Sequence, residues 1–109
     1  MMRLPMSNAA AGMFRALLTR SGAPRDRILL INVESRDWQS FTFTGERHVF
    51  DLRLIGPDAA AVALRLCDGI EHAEFAIPGQ IVAEISATPT PDRGDGSIHL
   101  SIEALTIRD

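Results

Sequence analysis

Three histidines sit among carboxylates in this chain: His48 beside Glu46 and Asp51, His72 between Glu71 and Glu74, and His99 ahead of Glu103. An imidazole titrates near neutrality and a neighbouring carboxylate can orient or charge it, so such pairs are raw material for proton transfer or for a mixed metal site. The spacings match no ligand motif of the H-E-x-x-H kind, and no metal is expected. Structural or solvent-facing histidines are the plainer reading. As acid/base candidates the residues carried forward are His48 and His72, with Glu46, Asp51 or Glu74 beside them.

Cys67 is a poor nucleophile on paper. It falls near the C-terminal end of an expected helix, next to Asp68, and both negative influences raise a thiol pKa. Trp38, Phe41 and Phe43 form the one aromatic cluster, interleaved with Gln39, Ser40 and Thr42. Alternation along a strand would place Phe41 and Phe43 on one face, a core or interface position, or the wall of a small apolar ligand site against the first helix. Arg93, Gly94 and Asp95 spell an adhesion tripeptide, but Gly and Asp are ordinary residues of a hairpin tip. Phosphate-cradling glycine loops are missing, so no nucleotide or other cofactor is expected.

The elements that must position these groups fit one domain spanning all 109 residues, with 46% hydrophobic and 23% charged side chains. Net charge is −3, and all 11 basic residues are arginines scattered along the chain. Without a polybasic patch, nucleic acid is not an expected partner. The opening residues from Met1 lack the apolar core of a secretory signal, and no run reaches membrane-spanning length. A lone cysteine asks for no oxidising compartment, so a cytoplasmic location is expected.

Met6, Ala10, Met13, Phe14, Leu17 and Leu18 recur at helical spacing, predicting a helix from Ser7 to Arg20 that ends at Gly22 and Pro24. Arg27 to Thr44 reads as one long strand interrupted by a bulge, Gly45 and Glu46 as the hairpin turn, and Arg47 to Ile55 as the returning strand. Gly56, Pro57 and Asp58 open a second helix to about Asp68. Pro78 and Gly79 have the order of a type II turn. A strand from Gln80 to Thr88 and another from Ile98 to Ile107 complete a hairpin, with Pro89, Pro91 and the glycines beyond forming its exposed tip.

The order αββαββ predicts an α+β fold, two helices on one face of a four-stranded antiparallel sheet, in a circularly permuted ferredoxin-like arrangement. Leu29, Ile31 and Val33 oppose Ile28 and Leu30 in parity, and Leu105 and Ile107 oppose Ile98, Leu100 and Ile102. Either a second subunit covers the far face or bulges switch parity within the strands. A small homodimeric binding or protein-interaction domain is the leading expectation. The alternative is a small enzyme with a His/carboxylate site in a pocket between sheet and helices.

Overall fold

A computed structural model describes residues 6–92 and 94–109. The opening Met1 to Pro5 and Arg93 of the Arg93-Gly94-Asp95 tripeptide lie outside the described residues. The chain runs α1 (Asn8–Ser21), β1 (Ile28–Gln39), β2 (Thr44–Leu54), α2 (Ala59–Cys67), β3 (Gln80–Asp92) and β4 (Ser97–Arg108), with 3-10 turns at Arg25–Arg27 and Ile70–His72. This is the expected αββαββ order. The sheet is antiparallel throughout in the order β1-β2-β4-β3, which leaves β1 and β3 as its edges.

Local chemistry explains the helices. Ser7 caps α1 by accepting the Ala10 amide at 3.1 Å, and the chain turns out of the helix at Gly22. The C-terminal carbonyls of both helices are then satisfied crosswise. Arg20 Nε donates to the Leu66 carbonyl at 3.2 Å, and Arg65 Nε donates to the Ser21 carbonyl at 2.9 Å. Each arginine locks the other helix's end.

Both helices cover one sheet face. Met13 and Leu17 of α1 and Val62, Ala63 and Leu66 of α2 pack on Phe50, Leu52 and Leu54 of β2 and Leu100 and Ile102 of β4. Burying each of the large apolar side chains contributes roughly 1.5–3 kcal/mol. Phe14 adds a stacked contact on Phe50, with ring centroids 6.4 Å apart.

Three sequence expectations need correction. The β1–β2 turn is formed by Ser40 to Phe43, where the Ser40 amide donates to the Phe43 carbonyl at 2.9 Å, and not by Gly45 and Glu46. Gly45 lies inside β2 for a different reason: a Cβ there would stand 2.0 Å from the Thr106 carbonyl oxygen of β4. Phe41 and Phe43 consequently leave the strand, and they share no sheet face. Pro89 and Pro91 belong to β3 rather than to the hairpin tip, paired with Leu100 and Ile98. An edge strand tolerates prolines whose missing N–H would have faced outward.

The third correction concerns the far face. A bulge at Ile31 in β1 and another at Ala83 in β3 switch parity, so Ile28, Leu30 and Val33 all lie on the helix side. Leu105, on the far face of unbulged β4, is flanked in register by Arg47 and Glu84, whose ion pair at 3.5 Å spans it. It is buried without a partner. Parity alone therefore does not demand a second subunit over that face. The predicted turn at Pro78 and Gly79 is present, with Gly79 at φ 74° and the Gln80 amide donating to Ile77 at 3.1 Å.

Candidate functional site

His48 is wholly buried on the helix side of β2. Its Nδ1 lies 2.7 Å from Ser35 Oγ of β1 and its Nε2 lies 2.8 Å from Thr106 Oγ1 of β4. The three residues form a polar rung across the sheet, because Ser35, His48, Ala104 and the adjacent Glu46–Thr106 pair are in register. Thr106 donates onward to the Glu46 carbonyl over a long 3.5 Å. That leaves Thr106 to accept from Nε2–H, and the bare Nδ1 to accept from Ser35. Burial holds the His48 imidazole below the usual histidine range, with Glu46 as the smaller opposing influence.

The other candidates do not converge on it. Asp51, three residues along the strand from His48, faces the opposite side and instead accepts from His99 Nε2 at 3.2 Å. The odd separation could have shown this from sequence, since alternate strand residues share a face. Glu46 meets His48 through charge and not through a hydrogen bond. His72 ends the second 3-10 turn; it and Glu74 are exposed, and no ion pair within 4.0 Å joins them. Among the described residues, no group of three or more His, Cys, Asp or Glu is placed to hold a metal ion.

On the far face a second polar cluster went unread in the sequence. Arg53 Nη2 reaches Asp95 Oδ2 at 3.1 Å, and its Nε lies 3.4 Å from Asp92 Oδ2. Asp95 also accepts the Ser97 amide at 2.9 Å, and hydrogen bonds from Ser97 hold its carboxyl below the usual carboxylate range. The cluster fastens the β3–β4 turn to β2. It is an anchoring device held mainly by charge, for Arg53 Nε is buried with Asp92 as its ion-pair partner but makes no hydrogen bond among the described residues.

Concavity and chemistry do not coincide. One cleft, of about 590 Å³, lies between the end of α2 and the β3–β4 hairpin, lined by Ala63, Leu64, Cys67, Pro89, Pro91 and Ile98. It has an apolar wall and no converging polar groups. Burial and Glu71 push the Cys67 thiol up, against a smaller pull from Arg20, so it is a poor nucleophile there. A second cleft of about 560 Å³ opens at the β1 edge between Met6, Ser7, Val33, Ser35 and Glu46. Trp38, Phe41 and Phe43 line neither.

Those aromatics define a surface of their own. Phe41 is fully exposed at the β1–β2 turn and Phe43 is 54% exposed, while Leu29 and Ile31 at the other end of β1 are 39% and 52% exposed. Between them, among the described residues, runs a strand edge that pairs with no further strand. The hydrogen-bonded Ser40/Phe43 pair sets the alternation, so Val33, Ser35, Asp37 and Gln39 direct their N–H and C=O groups away from β2. No proline interrupts it.

No protein-family model, curated protein or solved structure matches this chain. Among the described residues, no helix is long and apolar enough to cross a membrane.

Proposed function

We propose that this chain is a small homodimeric protein-interaction domain that works through the edge and turn of its β1–β2 hairpin. The observation that carries this reading is the coincidence of a proline-free edge strand with exposed Leu29, Ile31, Phe41 and Phe43 on one hairpin. Unpaired strand edges recruit further strands, and natural proteins ordinarily blunt them. The strand order β1-β2-β4-β3 supports a permuted ferredoxin-like topology: a βαββαβ chain would acquire it if its first strand were moved to the end. The single free thiol of Cys67 suits a reducing cytoplasm. Light scattering coupled to gel filtration tests the reading. A dimer at micromolar concentration is expected; a monomer throughout the high micromolar range would sink it.

One observation favours a second reading, a serine-dependent acyl transferase or hydrolase. Ser35 is exposed, and its hydroxyl donates to a buried neutral imidazole. Two requirements weaken this alternative. The group behind the imidazole is the neutral Thr106 hydroxyl and not a carboxylate that would stabilise an imidazolium, and no pair of donors is aimed at a forming oxyanion. Covalent labelling of Ser35 by a fluorophosphonate, lost in His48→Gln, would reverse the preference.

A further inference from the structure

We infer that the occupant of the β1 edge is a second copy of this chain, paired antiparallel about a two-fold axis through Ser35. This rests on the interaction-domain reading above and specifies its partner and register. The outward-facing backbone groups belong to Val33, Ser35, Asp37 and Gln39, so a hydrogen-bonded copy must set these residues opposite one another. Symmetry then leaves few axis positions along the regular part of the strand.

Side chains decide among them. An axis at Glu34, Arg36 or Asp37 sets each residue against its own copy, two like charges directly opposite. An axis at Val33 places the Ile31 bulge inside the new ladder, opposite the partner's Ser35. An axis at Ser35 avoids both faults. It sets Glu34 against the partner's Arg36 and Arg36 against the partner's Glu34, two symmetric opposite-charge pairs on the far face.

The intrachain surroundings of these two residues fit that role. Neither Glu34 nor Arg36 makes an ion pair within 4.0 Å among the described residues. Arg36 stands in register with Arg47 of its own β2, a like-charge neighbour whose carboxylate partner Glu84 lies on the far side. The partner's Glu34 would supply the missing counter-charge.

The same register disposes of the exposed apolar groups. It brings the partner's Trp38 opposite Asn32, next to bulged Ile31, and carries the partner's β1–β2 turn, with Phe41, toward the start of β1. Leu29, Ile31 and Phe41, three exposed large apolar side chains of the hairpin, would thereby gather toward each end of the ladder. Pairing would run from Asn32 to Trp38, and the bulge would end it. A symmetric interface of this kind is closed and cannot propagate.

Charge reversal tests the register, and proline tests the edge. Glu34→Arg and Arg36→Glu should each weaken the dimer roughly tenfold or more, and the double reversal Glu34→Arg/Arg36→Glu should restore it. Asp37→Pro removes an outward N–H that β2 does not use, so it should yield a folded monomer with an unchanged far-ultraviolet circular dichroism spectrum. Sedimentation equilibrium reads all four variants against the wild type. Loss in each single variant with recovery in the double supports the Ser35 axis. A wild-type dimer that Asp37→Pro disrupts, but to which charge reversal is indifferent, overturns the register and leaves the edge-pairing domain standing. A dimer that survives Asp37→Pro overturns the use of β1, and a wild type that is monomeric overturns register and interaction reading together.

Discussion

The two edges of this sheet are built on opposite rules. Strand β3 carries Pro89 and Pro91 near its end, which strip donors from the outward side of its second half, and its bulge at Ala83 kinks the first half. Strand β1 has a bulge near its start, but from Asn32 to Gln39 it is a regular ladder with neither proline nor glycine. The apolar exposure follows the same asymmetry: Leu29, Ile31, Phe41 and Phe43 cluster on the β1 hairpin, whereas Ile81 is the one large exposed apolar residue of β3. Blunting one edge and leaving the other open would confine the proposed association to a single surface, and a single two-fold surface makes dimers and not fibres.

The strongest way to break that contrast is to open the protected edge. Replacing both Pro89 and Pro91 by valine returns two outward N–H groups to β3, and the expected outcome is concentration-dependent association beyond a dimer, read by sedimentation velocity. Unchanged dimers would show that the prolines serve the hairpin and not the edge. Next in size is the support beneath the open edge. His48→Ala deletes the ring that ties Ser35 to Thr106 and leaves a cavity beside Phe50, with an expected loss of about 2–4 kcal/mol in urea unfolding. A loss below about 1 kcal/mol would mean the rung contributes little to β1.

Gly45→Ala probes the far end of the same hairpin. Its new Cβ must push the Thr106 backbone away, at a cost of about 1–3 kcal/mol, again read by urea unfolding. The pH dependence of stability follows from His48. Its folded-state pKa lies below the unfolded value of about 6.5, so the unfolded chain binds the extra proton. The His48 contribution is therefore full above that unfolded value and is lost as pH falls below it toward the folded one, a dependence that His48→Gln should flatten. Smallest is Arg47→Ala. The Arg47–Glu84 pair is about half exposed, so its removal should cost less than about 1 kcal/mol, part of that from uncovering Leu105.

Much of the architecture was legible in residue order. Helical spacing from Met6 to Leu18, the Ser7 cap, the Pro78–Gly79 turn and the alternation of Ile98, Leu100 and Ile102 are local signals, and each produced its element. Legibility failed where a residue answered to a neighbour distant in sequence. Gly45 looked like a turn because nothing local shows the Thr106 carbonyl pressed against it, and Pro89 and Pro91 looked like loop because nothing local shows which strand is an edge. His48 was noticed for its carboxylate neighbours, yet its partners are hydroxyls on two other strands.

The sequence by itself determined the element order, the α+β class and the apolar faces of the helices, because those depend on periodicities of two and 3.6 residues that any short window contains. Tertiary structure alone decided the register. Bulges at Ile31 and Ala83 each insert one residue, and with a side-chain period of two, one residue reverses every face that follows. That shift carried Val33 to the helix side with Ile28 and Leu30, set Ser35 above His48, and left Glu34 and Arg36 together on the far face of an edge strand.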